Sequence, residues 1–230
     1  MMVRGHDATD PERRSSLVNH VVPDTVATAE MWGDAVDIEL SEDEASAIRR
    51  AVQKRRREFV TGRACARLAL RRLGLQPVPV PTGAAGEPVW PEDVVGSITH
   101  CRGYRASAVA RSAQVVTLGI DAEQNTPLPP GVLERIASRS ELDAIANERP
   151  DAPERLLFSA KEAIYKAWFP VARRWLGFDD VIVEFDVSSR RFFGEVRAPA
   201  PRAGGVAITD FQGRWHIEAG IICTAVVVLR

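Results

Sequence analysis

The chain has 230 residues, 45% hydrophobic and 27% charged, with a formal net charge of −1 at pH 7, a composition that suits an ordinary globular protein with a sizeable core. So even a balance gives no electrostatic reason to expect a nucleic-acid or membrane partner, and the apolar runs are too short to span a bilayer. The N-terminus has no secretory h-region, and three isolated cysteines, Cys65, Cys101 and Cys223, fit a reducing cytosol and argue against a structural zinc site.

Residues 1–16 are polar and aperiodic and read as a loose N-terminal extension. Leu17 to Val22, closed by Pro23, is the first candidate strand. Ser41-Glu42-Asp43-Glu44 sets a cap before three acids, a helix-start signature. Apolar residues at helical spacing then run from Ile48 through Val52, Phe59, Cys65 and Leu68 to Leu73, with a break expected near Gly62 and a stop at Gly74. This stretch carries the densest positive charge: Lys54, Arg55, Arg56, Arg57, Arg63, Arg67, Arg71 and Arg72. Most of these should coat a solvated helix face. Arg56, Arg63 and Arg67 fall near one side with Arg55 beside them, where a phosphate pocket would sit. No aromatic interleaving supports nucleic-acid binding. Residues 77–91, rich in Pro and Gly, are a loop. Val94 to His100 and Tyr104 to Ala110 read as a hairpin joined by Cys101-Arg102-Gly103. His100 ends the first strand, a place where a histidine is more often structural than a ligand.

Val115 to Ile120 is an apolar run of buried-strand type that ends in Asp121-Ala122-Glu123. Residues two apart on an extended chain share a face, so both carboxylates project together. Like charges held close raise a pKa or demand a cation. Short helices are expected around 132–137 and 140–147. A long central helix follows, with Asp151-Ala152-Pro153-Glu154 as its start and Pro170 as its end. Its length is about 17 residues, or roughly 25 Å. Leu157, Ala160, Ile164 and Trp168 form one apolar stripe, while Phe158, Tyr165 and Phe169 lie off it, so the helix should be buried on more than one side. It nevertheless carries Lys161, Glu162 and Lys166. Glu162 and Lys166, four apart, suit a surface pair, and Ser159-x-x-Glu162 also spells a capping box, though Ser159 is mid-helix if the helix starts near Asp151. Strands are expected over 181–186, 191–196, 206–210, 215–219 and 221–229. The order of strand, helix and strands thus occurs twice, giving an α+β fold with an N-terminal half at 17–113 and a C-terminal half at 114–230. No residue-level repeat supports a duplication.

Asp121, Glu123 and Glu162 make a hard-oxygen set suited to Mg²⁺ or Mn²⁺, which commonly shares a few carboxylates with substrate phosphates. At this point five segments resemble one family: Gly62-Arg63; Gly86-Glu87-Pro88-Val89-Trp90-Pro91; Gly96-Ser97-Ile98-Thr99-His100-Cys101; Gly119-Ile120-Asp121-Ala122-Glu123; and Phe158-Ser159-Ala160-Lys161-Glu162-Ala163-Ile164-Tyr165-Lys166-Ala167. In order and register they resemble the Sfp-type 4′-phosphopantetheinyl transferases, closest to the EntD-like branch found in actinobacteria. The segments span about residues 54 to 178.

The resemblance implies a Mg²⁺-dependent transfer of 4′-phosphopantetheine from coenzyme A to a serine of an apo acyl, peptidyl or polyketide carrier protein, releasing adenosine 3′,5′-bisphosphate. It implies a pseudo-twofold pair of α+β halves with the active site in the cleft between them. Carried over residue by residue, Asp121, Glu123 and Glu162 would hold the metal, and Glu162 or a water it orients would be the base. Arg55 and Arg63 would take the 3′-phosphate of coenzyme A, Thr99 and His100 would contact its phosphates, and Lys161 and Lys166 would offset charge on the pyrophosphate and leaving group. A cytoplasmic monomer is expected. Relatives often carry a lysine in the loop before Gly-x-Pro; here Thr82-Gly83-Ala84-Ala85-Gly86 has no basic residue. Two other readings compete. One is a non-catalytic coenzyme A- or carrier-binding module with this fold; the other is a different Mg²⁺-dependent nucleotide enzyme, which the lack of a Walker-type loop disfavours. For carrier docking, an apolar patch rimmed by arginine is expected at Arg173, Arg174, Trp175 and Phe178, since carrier domains usually present an acidic helix.

Overall fold

Ser41 and Glu44 close a reciprocal capping box at the start of α1 (Glu42–Ala47), each side chain accepting from the other's backbone N–H. Glu44 is wholly buried; it also accepts from Val80 N at 2.9 Å and pairs with Arg67, so one carboxylate ties α1, the following helix and the 77–91 loop together. The computed structural model describes residues 16–145, 152–203 and 206–230, so the expected 1–16 extension lies, except for Ser16, outside the described residues. The helical stretch is interrupted between α1 and α2 (Gln53–Arg72), not at Gly62. Gly62 sits within α2, where a Cβ would come 3.1 Å from Ile98 Cγ2, so the helix keeps its glycine for close packing despite the propensity cost. The candidate strand at Leu17–Val22 is instead a 3₁₀ turn, Leu17–His20. Its buried residues, Leu17, Val18, Val21 and Val22, follow helical spacing and do not alternate. The first strand is β1 (Ala27–Trp32), which joins the hairpin of β2 (Val94–Cys101) and β3 (Tyr104–Arg111) in an antiparallel sheet of order β1-β3-β2. Cys65, Ala66, Ala69 and Leu70 of α2 bury against that sheet.

β4 (Val115–Gln124) runs past the expected end at Ile120, so Asp121 and Glu123 are ladder residues, opposite Thr224 and Ile222. After the short helices α3 (Leu133–Ile136) and α4 (Arg139–Ile145) comes α5 (Pro153–Ala172). The expected cap at Asp151 and the end of the 140–147 helix lie outside the described residues. Pro170 does not end α5: the helix continues to Ala172, and Arg173 closes it in a left-handed conformation (φ 51°), its N–H on Phe169 O at 2.9 Å. Val171 and Ala172 pack against the core and hold this last turn beyond the proline. The remaining strands are β5 (Val181–Asp186), β6 (Arg191–Val196), the small β7 (Arg202–Ala203) and β8 (Val206–Ala207) pair, β9 (Asp210–Glu218) and β10 (Ile221–Leu229). The main sheet has the antiparallel order β4-β10-β9-β6-β5. The stripe of Leu157, Ala160, Ile164 and Trp168 is buried against it, as its spacing predicts.

The two sheets meet edge to edge at β2 and β4, and hydroxyls of β2 replace ladder carbonyls there. Ser97 Oγ accepts from Ile120 N at 3.1 Å and Thr99 Oγ1 from Ala122 N at 2.9 Å. Two edge N–H groups of β4 are thus satisfied within the chain. Beneath them one core joins Tyr104, Ala106 and Ala108 to Leu118, Ile120 and Cys223. Among the described residues no helix is long and apolar enough to cross a membrane.

Candidate active site

Gly119 decides how the site is assembled. A Cβ there would lie 2.1 Å from Ala163 O and 2.6 Å from Ala167 N, so α5 rests directly on the β4 backbone. Thr117 Oγ1 fastens the contact, donating to Ala167 O at 2.7 Å. The turn of α5 bearing Glu162 and Lys166 is thereby set beside Asp121. Lys166 Nζ donates to Asp121 Oδ1 at 2.7 Å and to Ile120 O at 3.2 Å, so the i, i+4 surface-pair reading of Glu162 and Lys166 gives way to a bond across the helix–strand contact. Asp121 is 5% exposed and is held on both oxygens. Thr99 Oγ1 donates to Oδ1 at 3.2 Å and Ser159 Oγ to Oδ2 at 2.9 Å. Thr224 Oγ1 in turn lies 2.9 Å from both Ser159 Oγ and Ser159 O. Glu123 accepts from Arg155 at 3.1 Å, whose guanidinium is fixed on Thr126 O and Pro127 O.

Burial, and then the Asp121 charge, push Glu123 up to about 7 against the opposing pull of Arg155 and Lys166. The same two causes raise Glu162, with Lys166 opposing them. Three crowded carboxylates, two of them disfavoured as anions, form a donor set whose chemistry fits a hard divalent cation. Their oxygens do not all lie within 4.8 Å of one another; the ammonium of Lys166 and the guanidinium of Arg155 stand on two of them instead.

On the N-terminal side Arg55 donates to His100 Nε2 at 2.6 Å. Because arginine can only donate, the ring proton sits on Nδ1, 3.8 Å from Glu58 Oε2. Burial lowers the His100 pKa, with Glu58 opposing and Arg55 and Lys166 adding to the shift. His100 therefore lies between the arginines of α2 and the Lys166–Asp121 pair. Arg63 is far more enclosed than Arg55: it is 5% exposed, its guanidinium lies 4.1 Å from the Phe59 ring centroid, and it donates to Thr82 at 3.0 Å. Its buried Nε has no protein partner, and burial lowers its pKa to about 10. The other two arginines of the expected basic face have structural tasks, Arg67 on Glu44 and Arg56 on Arg49 O and Ala51 O.

Two expected site residues are placed differently. Lys161 points away from the carboxylates, and its ammonium is spent on Ile136 O, Phe178 O and Glu141, at 2.7, 3.0 and 2.9 Å. Neighbours on a helix diverge by about 100°, so a lysine beside a site glutamate faces elsewhere. Thr99 gives its one proton to Asp121 and its lone pair to Ala122 N, so it braces the site. The arginine patch is also partly engaged. Arg173 pairs with Glu87 at 3.0 Å, Arg174 lies 5.2 Å from the Trp168 ring centroid, and Phe178 packs on Phe158, while Trp175 is 73% exposed. Sequence reasoning missed Arg155, Ser159 as a brace, Thr224 and Glu141. Only Ser159 left a signal, a hydroxyl in mid-helix where no cap is needed.

A cavity of about 500 Å³ opens beside Glu162 and Lys166, walled by Trp90, Val95, Ile98, Tyr165 and Phe169. It runs between the 85–90 loop, β2 and α5, and so draws walls from both sheets' domains.

Residues 43–110 match the model of the 4′-phosphopantetheinyl transferase N-terminal domain, and residues 117–219 that of the 4′-phosphopantetheinyl transferase superfamily. The chain belongs to the Sfp-type 4′-phosphopantetheinyl transferases. It is 43% identical to the 4′-phosphopantetheinyl transferase PptT of Mycobacterium tuberculosis over 223 residues, which covers 93% of this chain and 98% of that protein. It is 44% identical to the 4′-phosphopantetheinyl transferase Svp of Streptomyces mobaraensis over 219 residues, 92% and 89% of the two chains. Enterobactin synthase component D of Salmonella typhi is more distant, at 35% identity over 53% of this chain and 51% of its own. The actinobacterial side of the expected kinship therefore holds, with the enterobactin branch further away.

Proposed function

We propose that this protein moves the 4′-phosphopantetheine group of coenzyme A onto a serine hydroxyl of an apo acyl, peptidyl or polyketide carrier protein, leaving adenosine 3′,5′-bisphosphate. The observation that carries this reading is the placement of Asp121, Glu162 and Lys166 at one contact, next to an apolar cavity large enough for a pantetheine arm. The family typically uses Mg²⁺ and coenzyme A. Asp121, Glu123 and Glu162 would hold Mg²⁺ or Mn²⁺, which supplies charge neutralisation on the pyrophosphate when bound. Thr99 and Ser159 fix Asp121 for that task. Lys166 is positioned to steady the leaving phosphate. Glu162, directly or through a water it orients, takes the serine proton as the hydroxyl oxygen bonds to phosphorus and the bond to the adenylate phosphate breaks. Arg55 and His100 face the phosphates, and Arg63 brings a buried cation with one unsatisfied N–H.

The proposed halves, 17–113 and 114–230, each contribute one main antiparallel sheet and one 20-residue helix, α2 or α5, with the small β7–β8 pair added in the second half, which supports a pseudo-twofold arrangement with the site at their seam. The three free, buried cysteines suit the reducing cytoplasm. Intact mass of an apo carrier after incubation with the protein, coenzyme A and Mg²⁺ tests the reading. A gain of one phosphopantetheine is expected, lost with EDTA, restored by Mg²⁺ or Mn²⁺, and absent with Asp121→Ala. No gain on any acyl, peptidyl or polyketide carrier would refute it, and turnover by Asp121→Ala would remove the metal assignment.

A further inference from the structure

A second cluster of metal-ligating side chains lies away from the carboxylates, where the first element of the fold touches the last hairpin. His216 and Glu218 are two apart on β9 and share a face, with the β9–β10 turn closing through Ala219 and Gly220, both at positive φ. His216 Nε2 lies 3.2 Å from Glu218 Oε2, and His20, the last residue of the 3₁₀ turn, brings its Nε2 to 3.8 Å from the same oxygen. One ligand atom from each of the three residues lies within 4.8 Å of the others. The imidazoles stack, with centroids 4.2 Å and planes 25° apart, so the in-plane lone pairs converge on one ion only when the exposed His20 ring swings out of the stack. Burial and the neighbouring His20 and Arg190 lower the His216 pKa, with Glu218 pulling the other way.

We propose that His20, His216 and Glu218 bind a zinc-class transition ion, which clasps the Leu17–His20 turn to the β9–β10 hairpin. Zinc bonds of about 2.0–2.2 Å put tetrahedral ligand atoms roughly 3.3–3.5 Å apart. The His216–Glu218 separation already matches, and half-exposed His20, 3.8 Å from the same carboxylate oxygen, turns its ring to close on both partners. A solvent molecule completes the coordination. Two imidazoles and one carboxylate select zinc, nickel or copper over magnesium, so this ion differs in class from the one at Asp121. Two ligands ride on a paired strand, which fixes their spacing before the ion arrives. One neighbour opposes it: Arg190 donates to His216 Nδ1 at 3.0 Å and so holds the ring proton on Nε2. Binding moves that proton to Nδ1 through solvent, with no net release, and turns the exposed guanidinium away.

The test is calorimetric titration of Zn²⁺ into the full chain in excess Mg²⁺, which keeps the carboxylate site occupied. One Zn²⁺ per chain is expected, with a rise in Tm. His216→Ala and His20→Ala should each weaken binding by about tenfold or more, and Arg190→Ala should strengthen it. Asp121→Ala, which removes the proposed Mg²⁺ ligand, should leave Zn²⁺ binding intact. Circular dichroism of each variant confirms folding, and Co²⁺ substitution adds a visible tetrahedral band that His216→Ala abolishes. Absence of saturable binding, or equal affinity in wild type and both histidine variants, would overturn the assignment. Zn²⁺ binding lost only in Asp121→Ala would overturn it too, by moving the ion to the carboxylate site.

Discussion

Replacing Gly119 with alanine isolates the contact on which the active site depends. The added methyl would sit 2.1 Å from Ala163 O and 2.6 Å from Ala167 N, where 3.4 Å is the near limit of ordinary contact. Both obstacles are backbone, and Thr117 and a buried apolar stripe hold the helix down, so no side chain can simply swing aside. Helix α5 must lift by roughly 1 Å or more, a misplacement that costs on the order of 100-fold where reacting groups are held for attack. Forcing a methyl into a packed interface costs about 1–3 kcal/mol, and for a chain of this size each kcal/mol lowers Tm by about 2–4 °C. The assay is carrier modification under saturating substrates, normalised to folded protein, with thermal unfolding in parallel. Gly213→Ala is the control: its Cβ would meet the Phe192 ring at 2.0 Å, within the sheet core, so it should lose stability while keeping turnover per folded molecule. Near-normal kcat in Gly119→Ala, or an equal kcat loss in Gly213→Ala, would refute the claim that this contact sets Lys166 and Glu162 against Asp121.

The two lysines of the central helix should separate cleanly. Lys161→Met strands Glu141 in the interior and should cost about 3–5 kcal/mol of stability with little change in kcat of the folded fraction, whereas Lys166→Met should keep the fold and lose most of kcat; the reverse pattern would restore Lys161 to the chemistry. Arg55→Ala should weaken coenzyme A binding by roughly ten- to a hundredfold with a much smaller effect on dephospho-coenzyme A, measured by calorimetry. Arg63→Ala follows the same rule only if its free Nε meets the 3′-phosphate, and equal losses for both ligands would assign it to packing. Arg173→Glu/Arg174→Glu should raise the carrier KM at low salt and leave coenzyme A affinity unchanged; an unmoved KM would place docking elsewhere.

Several features were legible before any coordinates, because local rules decide them. The helix start at Ser41, the 94–111 hairpin, the apolar stripe of α5 and most C-terminal strands follow from caps, alternation and 3.6-residue spacing. The pairing of Asp121 with Glu123 follows from the two-residue repeat of a strand, and the family from five short segments in order. Where the reading erred, a longer-range contact outweighed the local rule. Pro170 should stop a helix, yet core packing of Val171 and Ala172 carries α5 past it, and Gly62 should break one, yet it buys close approach to Ile98. Lys161 and Lys166 look alike in a motif, but their positions on the helix send one to Glu141 and the other to Asp121. Nothing in the sequence joins Asp121 to Thr99, Ser159 and Thr224, or His20 to His216, since these partners are 22 or more positions apart and meet only when the sheets close. Thus the sequence by itself determined which residue types and local elements are present, because backbone geometry and solvent dictate those one segment at a time. The tertiary structure alone decided which charged groups face one another, because that depends on how far a helix can descend onto a strand, and here a missing side chain at Gly119 lets it reach the backbone.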